Sequence, residues 1–126
     1  IMIQGIGTDI IEIERICSAI KKETFLFKTF TKSELDLYTQ KGSQPQTLAA
    51  LFCAKEAVAK AIGTGFRGFS PLDVEILHDS NGKPFLHITA KLQIILQKQG
   101  FFNPQFHISL SHCKNYATAF VTLETI

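Results

Sequence analysis

The chain has 126 residues, of which 45% are hydrophobic and 19% charged, with 11 Phe and no Trp. That length and balance suit one globular domain with its own core, and exclude a disordered or fibrous chain. A formal charge of +2 is too small to announce a nucleic-acid partner.

The opening stretch "MIQGIGTDIIEI" is rich in Ile and punctuated by Gly5 and Gly7, which predicts a buried first strand ending near Asp9 and turning into a helix. Ile13, Ile16, Cys17 and Ile20 then recur at helical spacing from Glu12 to Ile20, followed by Lys21 and Lys22 at the C-terminal end. "TKSELDLYTQK" places Thr31 three residues before Glu34, the reciprocal arrangement that opens a helix. Gly42, Ser43 and Pro45 break the chain, and a longer helix is predicted from Gln46 to Ile62, ended by Gly63 in a left-handed cap.

A glycine-rich loop, "GTGFRGF", leads into "VEILHDSNGKPFLHI", two alternating runs around Asn81-Gly82, the pair favoured in a type I′ hairpin turn. Pro84 cannot donate to a ladder, which predicts an edge or a break in the second strand. "TAKLQIILQKQG" reads as a helix capped by Thr89, with Leu92, Ile95 and Leu96 inward, and "FHISLSHC" and "ATAFVTLETI" as a closing strand pair. The order βαααββαββ fits a single α+β domain, residues 1–126, with a mainly antiparallel sheet and a long central helix.

Cys17, Cys53 and Cys113 are odd in number and lack metal-ligand spacing, so buried or half-buried thiols in a reducing cytoplasm are expected. No apolar run is long enough to cross a bilayer and no charged leader precedes a cleavable segment, so no membrane role is expected. Met2 reads as the natural start, with Ile1 extraneous.

Four features bear on chemistry. Phe52, Glu56 and Lys60 are spaced i, i+4, i+8 and share one side of the long helix, next to Lys55. A solvated ion pair between Glu56 and Lys60 explains this spacing, and so does a pair of groups serving a site. Asp9 either caps the following helix or contributes a second carboxylate, and two carboxylates brought together suit magnesium, which fills its octahedron with water and substrate phosphates. Lys60, one turn beyond Glu56, would face the same phosphates. The loop with Gly63, Gly65 and Arg67 is either a plain turn or a close backbone approach to phosphate with an added cation; it lacks the P-loop and dinucleotide patterns. His112 ends a strand in phase with Ile108 and Leu110, as a satisfied histidine or as a site residue. Arg15, Lys21, Lys22, Lys28 and Lys32 form either a solvated face or a surface that steers an acidic partner; without interleaved aromatics, RNA is disfavoured.

"GIGTDIIEIERI", "FCAKEAVAKAIGTGF", "NGKPF" and "ISLSH", in that order along nearly the whole chain, resemble the holo-acyl-carrier-protein synthases, a bacterial 4′-phosphopantetheinyl transferase family. The resemblance implies that family's fold and transfer of 4′-phosphopantetheine from coenzyme A to a serine of apo acyl carrier protein, releasing adenosine 3′,5′-bisphosphate, in support of fatty acid biosynthesis. It implies that Asp9 and Glu56 bind Mg2+ with the CoA pyrophosphate and that Lys60 lies by the phosphates. Gly63, Gly65, Arg67, Pro84 and His112 are then expected at coenzyme A, and Arg15, Lys21 and Lys22 at the acidic carrier protein. It further implies a cytoplasmic homotrimer with sites between subunits, His112 serving a neighbour's site. Glu56 is the expected acceptor of the serine proton and Lys60 the stabiliser of the leaving phosphate. Many relatives carry Arg where this chain has Leu51, a missing cation for which Arg67 is the expected substitute. A relative acting on a peptidyl carrier is disfavoured by length, and a non-catalytic module that binds CoA or carrier protein is the alternative outside enzymes.

Overall fold

The first strand, β1 (Met2–Glu12), runs beside the long helix α4 (Pro45–Ile62), and their backbones meet where β1 has no side chains. A Cβ on Gly5 would lie 1.9 Å from the Ala61 carbonyl oxygen, and one on Gly7 would lie 1.9 Å from that of Ala57. Alternate residues of a strand share a face, and residues four apart share a face of a helix, so two glycines and two alanines make one continuous contact. The structure, a computed structural model, describes residues 1–126.

Between β1 and α4 lie α1 (Ile13–Ala19), α2 (Glu23–Thr29) and α3 (Lys32–Gln40). After α4 come a 3-10 turn (Pro71–Asp73), β2 (Val74–His78), β3 (Pro84–Ile88), α5 (Ala90–Lys98), β4 (Gln105–His112) and β5 (Tyr116–Thr125). Strands β1, β5 and β4 form an antiparallel sheet in that order, and β2 pairs antiparallel with β3. The sheet's inner face gives Ile11, Ala117, Ala119, Val121 and Leu123 to the core; α4 adds Leu48, Leu51, Val58 and Ile62, and α5 adds Leu92 and Leu96. Of the inward β5 residues Ala117 and Ala119 are small, and Cys53 of α4 comes within 3.4 Å of the Ala117 carbonyl oxygen.

The α+β class, the antiparallel pairing and the long central helix follow the expected pattern. Gln44 precedes Pro45 at the first turn of α4, and Gly63 closes it in the left-handed region at φ 95°. The capping box of Thr31 and Glu34 is formed at α3. Glu34 also reaches inward: its Oε1 lies 2.8 Å from Lys55 Nζ, with both side chains at 1% exposure or less.

Four expectations are corrected. An additional short helix, α2, makes the order βααααββαββ; a seven-residue helix is marginal alone, and Phe25 holds it by packing on Phe30 and Phe52. Strand β1 continues past Asp9 to Glu12, because β5 pairs with it as far as Glu12 opposite Tyr116. Asp9 is therefore within the strand, and it does not cap α1, whose N-cap is Glu12.

The Asn81-Gly82 turn is not type I′, which needs positive φ at both central residues; only Gly82 has it. Gly82 N–H donates to Asp79 O and Asp79 N–H to Lys83 O, each at 3.0 Å, while Asp79 Oδ1 accepts from the N–H groups of Asn81 and Lys83. The aspartate side chain captures the loop donors and selects a three-residue loop with a glycine bulge. Pro84 then begins β3, where no ladder donor is lost. Finally, Cys53 is buried but Cys17 and Cys113 are exposed, since only Ile16 of α1 is buried and Cys113 lies in the β4–β5 turn.

Replacing Gly7 by Ala drives a methyl group into the α4 backbone. Gly7→Ala is expected to lose about 3 kcal/mol of stability in a denaturant titration, since neither backbone can yield without moving the other.

Candidate active site

The face of β1 that carries Gly5 and Gly7 next presents Asp9. As Gly7 meets Ala57, Asp9 falls one helical turn earlier on α4, beside Cys53, and its charge also reaches Glu56, the residue before Ala57. The backbone of Asp9 is held from the other side, where Thr118 Oγ1 donates to its carbonyl oxygen at 2.9 Å. Lys60 Nζ donates to Thr8 O at 2.9 Å and to Asp9 Oδ1 at 3.3 Å. Lys60 thus pairs across to the strand, and the ion pair along the helix with Glu56 is not made.

Glu56 is half-buried, and its pKa is raised above the ordinary 4.5, first by burial and then by the negative charge of Asp9, with Lys60 opposing. Two carboxylates therefore share this groove with less positive charge than they need, which is the condition a divalent cation relieves. The donor set is hard oxygen, as magnesium prefers. No group of three or more His, Cys, Asp or Glu could hold a metal by itself. An ion between Asp9 and Glu56 would take its remaining oxygens from substrate and water.

Cys53 was not singled out by spacing as a neighbour of Asp9. Burial first, then the charge of Asp9 and a hydrogen bond to it, push its thiol up to about 12. It stays protonated and, with no exposed surface, lies beneath the groove as a neutral floor, its Sγ 3.4 Å from Ala117 O. Its place one turn before Ala57 is the signal that could have found it, once Gly7 is set against Ala57.

Pro84 and His112 lie elsewhere on the chain, on a cleft of about 480 Å³ walled by Leu51, Lys41, Lys83 and His78 among others. Asp9, Glu56 and Lys60 do not line it. One chain thus carries the expected site residues in two separate places. Leu51 is 1% exposed at the wall of this cleft, and the cations that share it are Lys41 and Lys83, which motif reading passed over; Arg67 does not line it. His78 is held below its ordinary pKa by burial and then by Lys41. Gly63 and Gly65 have φ of 95° and 68°, in a loop on which Arg67 is exposed. Arg15 and Lys22 line a third, shallow groove along α1 with Glu12, Glu14 and Phe25, whereas Lys21 is exposed outside it.

The family model of the 4′-phosphopantetheinyl transferase superfamily matches residues 5–121. The chain belongs to this superfamily. Among curated relatives it is 52% identical over 118 residues to a holo-acyl-carrier-protein synthase of Fusobacterium nucleatum, covering 94% of this chain and 96% of that one. Among solved structures, the holo-acyl-carrier-protein synthase of Neisseria meningitidis superposes with a TM-score of 0.88 at 38% identity, covering 98% of this chain and 100% of that one. The synthase of Bacillus anthracis, solved in complex with CoA (3′,5′-ADP), gives 0.81 at 35% identity and full coverage of both, 100% and 100%. The fold of this transferase-superfamily chain is thus that of the holo-acyl-carrier-protein synthases.

The raised pKa of Glu56 has a sign that can be measured. Burial and Asp9 disfavour the ionised form in the folded state, so the stability this group contributes is complete below its unfolded value and is lost as pH rises through the raised folded value. Glu56→Gln is therefore expected to melt higher than the parent at neutral pH, with the difference disappearing below about pH 4, in thermal melts across that range.

Proposed function

We propose that this chain transfers the 4′-phosphopantetheine group of coenzyme A to a serine hydroxyl of apo acyl carrier protein, giving holo carrier protein and adenosine 3′,5′-bisphosphate, in support of fatty acid biosynthesis. What carries the reading is the meeting of Asp9, Glu56 and Lys60 at the junction of β1 and α4 in a chain of this superfamily.

A serine hydroxyl is a weak nucleophile, and the pyrophosphate it must attack is negatively charged. Asp9 and Glu56 would hold Mg2+, which supplies positive charge to that pyrophosphate. Glu56 accepts the serine proton at a carboxylate oxygen, and burial makes that oxygen more basic than an exposed one. Lys60, 55% exposed at the same rim, stabilises charge growing on the leaving bisphosphate. Asp9 holds Lys60 near that place and sits opposite Glu56 across the groove. Arg15, Lys21 and Lys22 on and after α1 receive the acidic carrier protein.

The second location fits an assembly. The outer face of the sheet leaves Ile6, Ile10 and Phe120 at 62%, 65% and 48% exposure, an apolar patch of the kind that marks an interaction site. In the proposed homotrimer this face is covered, and the cleft of Pro84 and His112, with Lys41 and Lys83, takes coenzyme A at a neighbour's carboxylates. The loop with Gly63, Gly65 and Arg67 completes the phosphate contacts. The whole of residues 1–126 acts as one domain. No helix is long and apolar enough to cross a membrane, and the cytoplasm is the proposed location.

Incubation with CoA, Mg2+ and apo carrier protein tests the reaction: intact-mass analysis is expected to show the carrier gaining one phosphopantetheine. Binding without that gain would leave a CoA or carrier-protein binding module instead. Glu56→Gln is expected to lower kcat by about 100-fold or more, and Asp9→Ala to raise the Mg2+ concentration for half-maximal rate. Phe120→Asp is expected to shift the protein to a smaller species in light scattering and to lose turnover with it, because the outer face then carries a charge where it must be covered.

A further inference from the structure

Lys55 is buried on the side of α4 away from β1. It precedes Ala57 by two residues, about 200° around the helix, so the contact with Gly7 lies nearly opposite. Its ammonium is 1% exposed and has three acceptors for its three donors: Glu34 Oε1 at 2.8 Å, the Pro71 carbonyl oxygen at 2.8 Å and the Val74 carbonyl oxygen. Glu34, 0% exposed, accepts in addition the N–H of Thr31 at 2.8 Å and of Ile76 at 2.9 Å. One ion pair therefore joins the start of α3, the middle of α4, the 3-10 turn and β2.

Burying two charges is a poor way to stabilise a fold, since apolar residues of similar volume do as well or better. Directional bonds do something that apolar packing does not. With Ala57 pressed on Gly7 and Lys55 held opposite, α4 cannot turn about its own axis. The next residue after Lys55 is Glu56. The glycine-rich loop leaves α4 at Gly63 and returns at Pro71, whose carbonyl Lys55 also holds.

We propose that Lys55, held by Glu34, is a positioning residue for the transfer reaction: it fixes the rotation of α4 that presents Glu56 and the point at which the glycine-rich loop returns to the helix. The inference rests on the role given above to Glu56. A misplacement of about 1 Å at a reacting group is enough to cost a large factor in rate while leaving substrate binding nearly intact.

The test is the double variant Glu34→Gln/Lys55→Met, which removes both charges at similar volume, assayed with CoA, Mg2+ and apo carrier protein beside the parent and Glu56→Gln. A cooperative melt, a KM for CoA within about threefold of the parent and a kcat lower by about tenfold or more are expected. Should the double variant fail to fold, Glu34→Gln/Lys55→Gln, which leaves no unpaired buried charge and keeps an amide donor for the carbonyl partners of Lys55, is measured with the same expectation. A folded variant with kcat within about twofold of the parent overturns the positioning role, and so does a raised KM at unchanged kcat. Full turnover by Glu56→Gln would remove the role of Glu56 itself; loss in Glu56→Gln beside full turnover in the double variant removes the positioning role alone.

Discussion

Main chain against main chain, at Gly5 and Gly7 of β1 and Ala61 and Ala57 of α4, is the contact from which the rest of the site is measured. Where side chains separate a helix from a strand, the gap depends on their rotamers and volumes. Here it depends on the absence of a Cβ. Two residues beyond Gly7 on the same face comes Asp9, one turn before Ala57 comes Cys53, and Glu56 stands next to Ala57, so the repeat lengths of strand and helix bring the charge of Asp9 to bear on both. The electrostatics follow from that placement. Burial and the neighbouring acid keep Cys53 protonated and raise Glu56, while Lys60 spans the rim to Asp9 and to the Thr8 carbonyl.

Much of this was legible in the chain. The glycines before Asp9, the helical spacing of Glu56 and Lys60, the Thr31 and Glu34 box and the Gly63 stop are local signals, each decided within a few residues. What stayed hidden was settled at a distance. From its own neighbourhood Asp9 reads as a strand end, because nothing nearby tells that Tyr116 will extend the ladder to Glu12. Residues 23–29 have little helical pattern of their own and fold on Phe30 and Phe52. The Asn81-Gly82 pair has a favoured turn, but the carboxylate of Asp79 chose another.

The same division runs through the site. Glu56 and Lys60 invite an ion pair along the helix, and a strand from the other end of the sequence takes the lysine instead. Glu34 satisfies its local cap and then spends its second oxygen on Ile76 and its first also on Lys55, contacts that sequence spacing does not announce. On one chain His112 and Pro84 belong to a different surface from Asp9, a separation that no local spacing announces. In the proposed assembly a neighbouring subunit would supply the link that local chemistry lacks.

That separation has a genetic reading. On the proposed assembly, a copy spoiled in its carboxylates still lends a sound cleft, and a copy spoiled in its cleft still lends sound carboxylates. Two alleles that are each silent can therefore restore one another when expressed together, whereas two lesions of the same kind cannot.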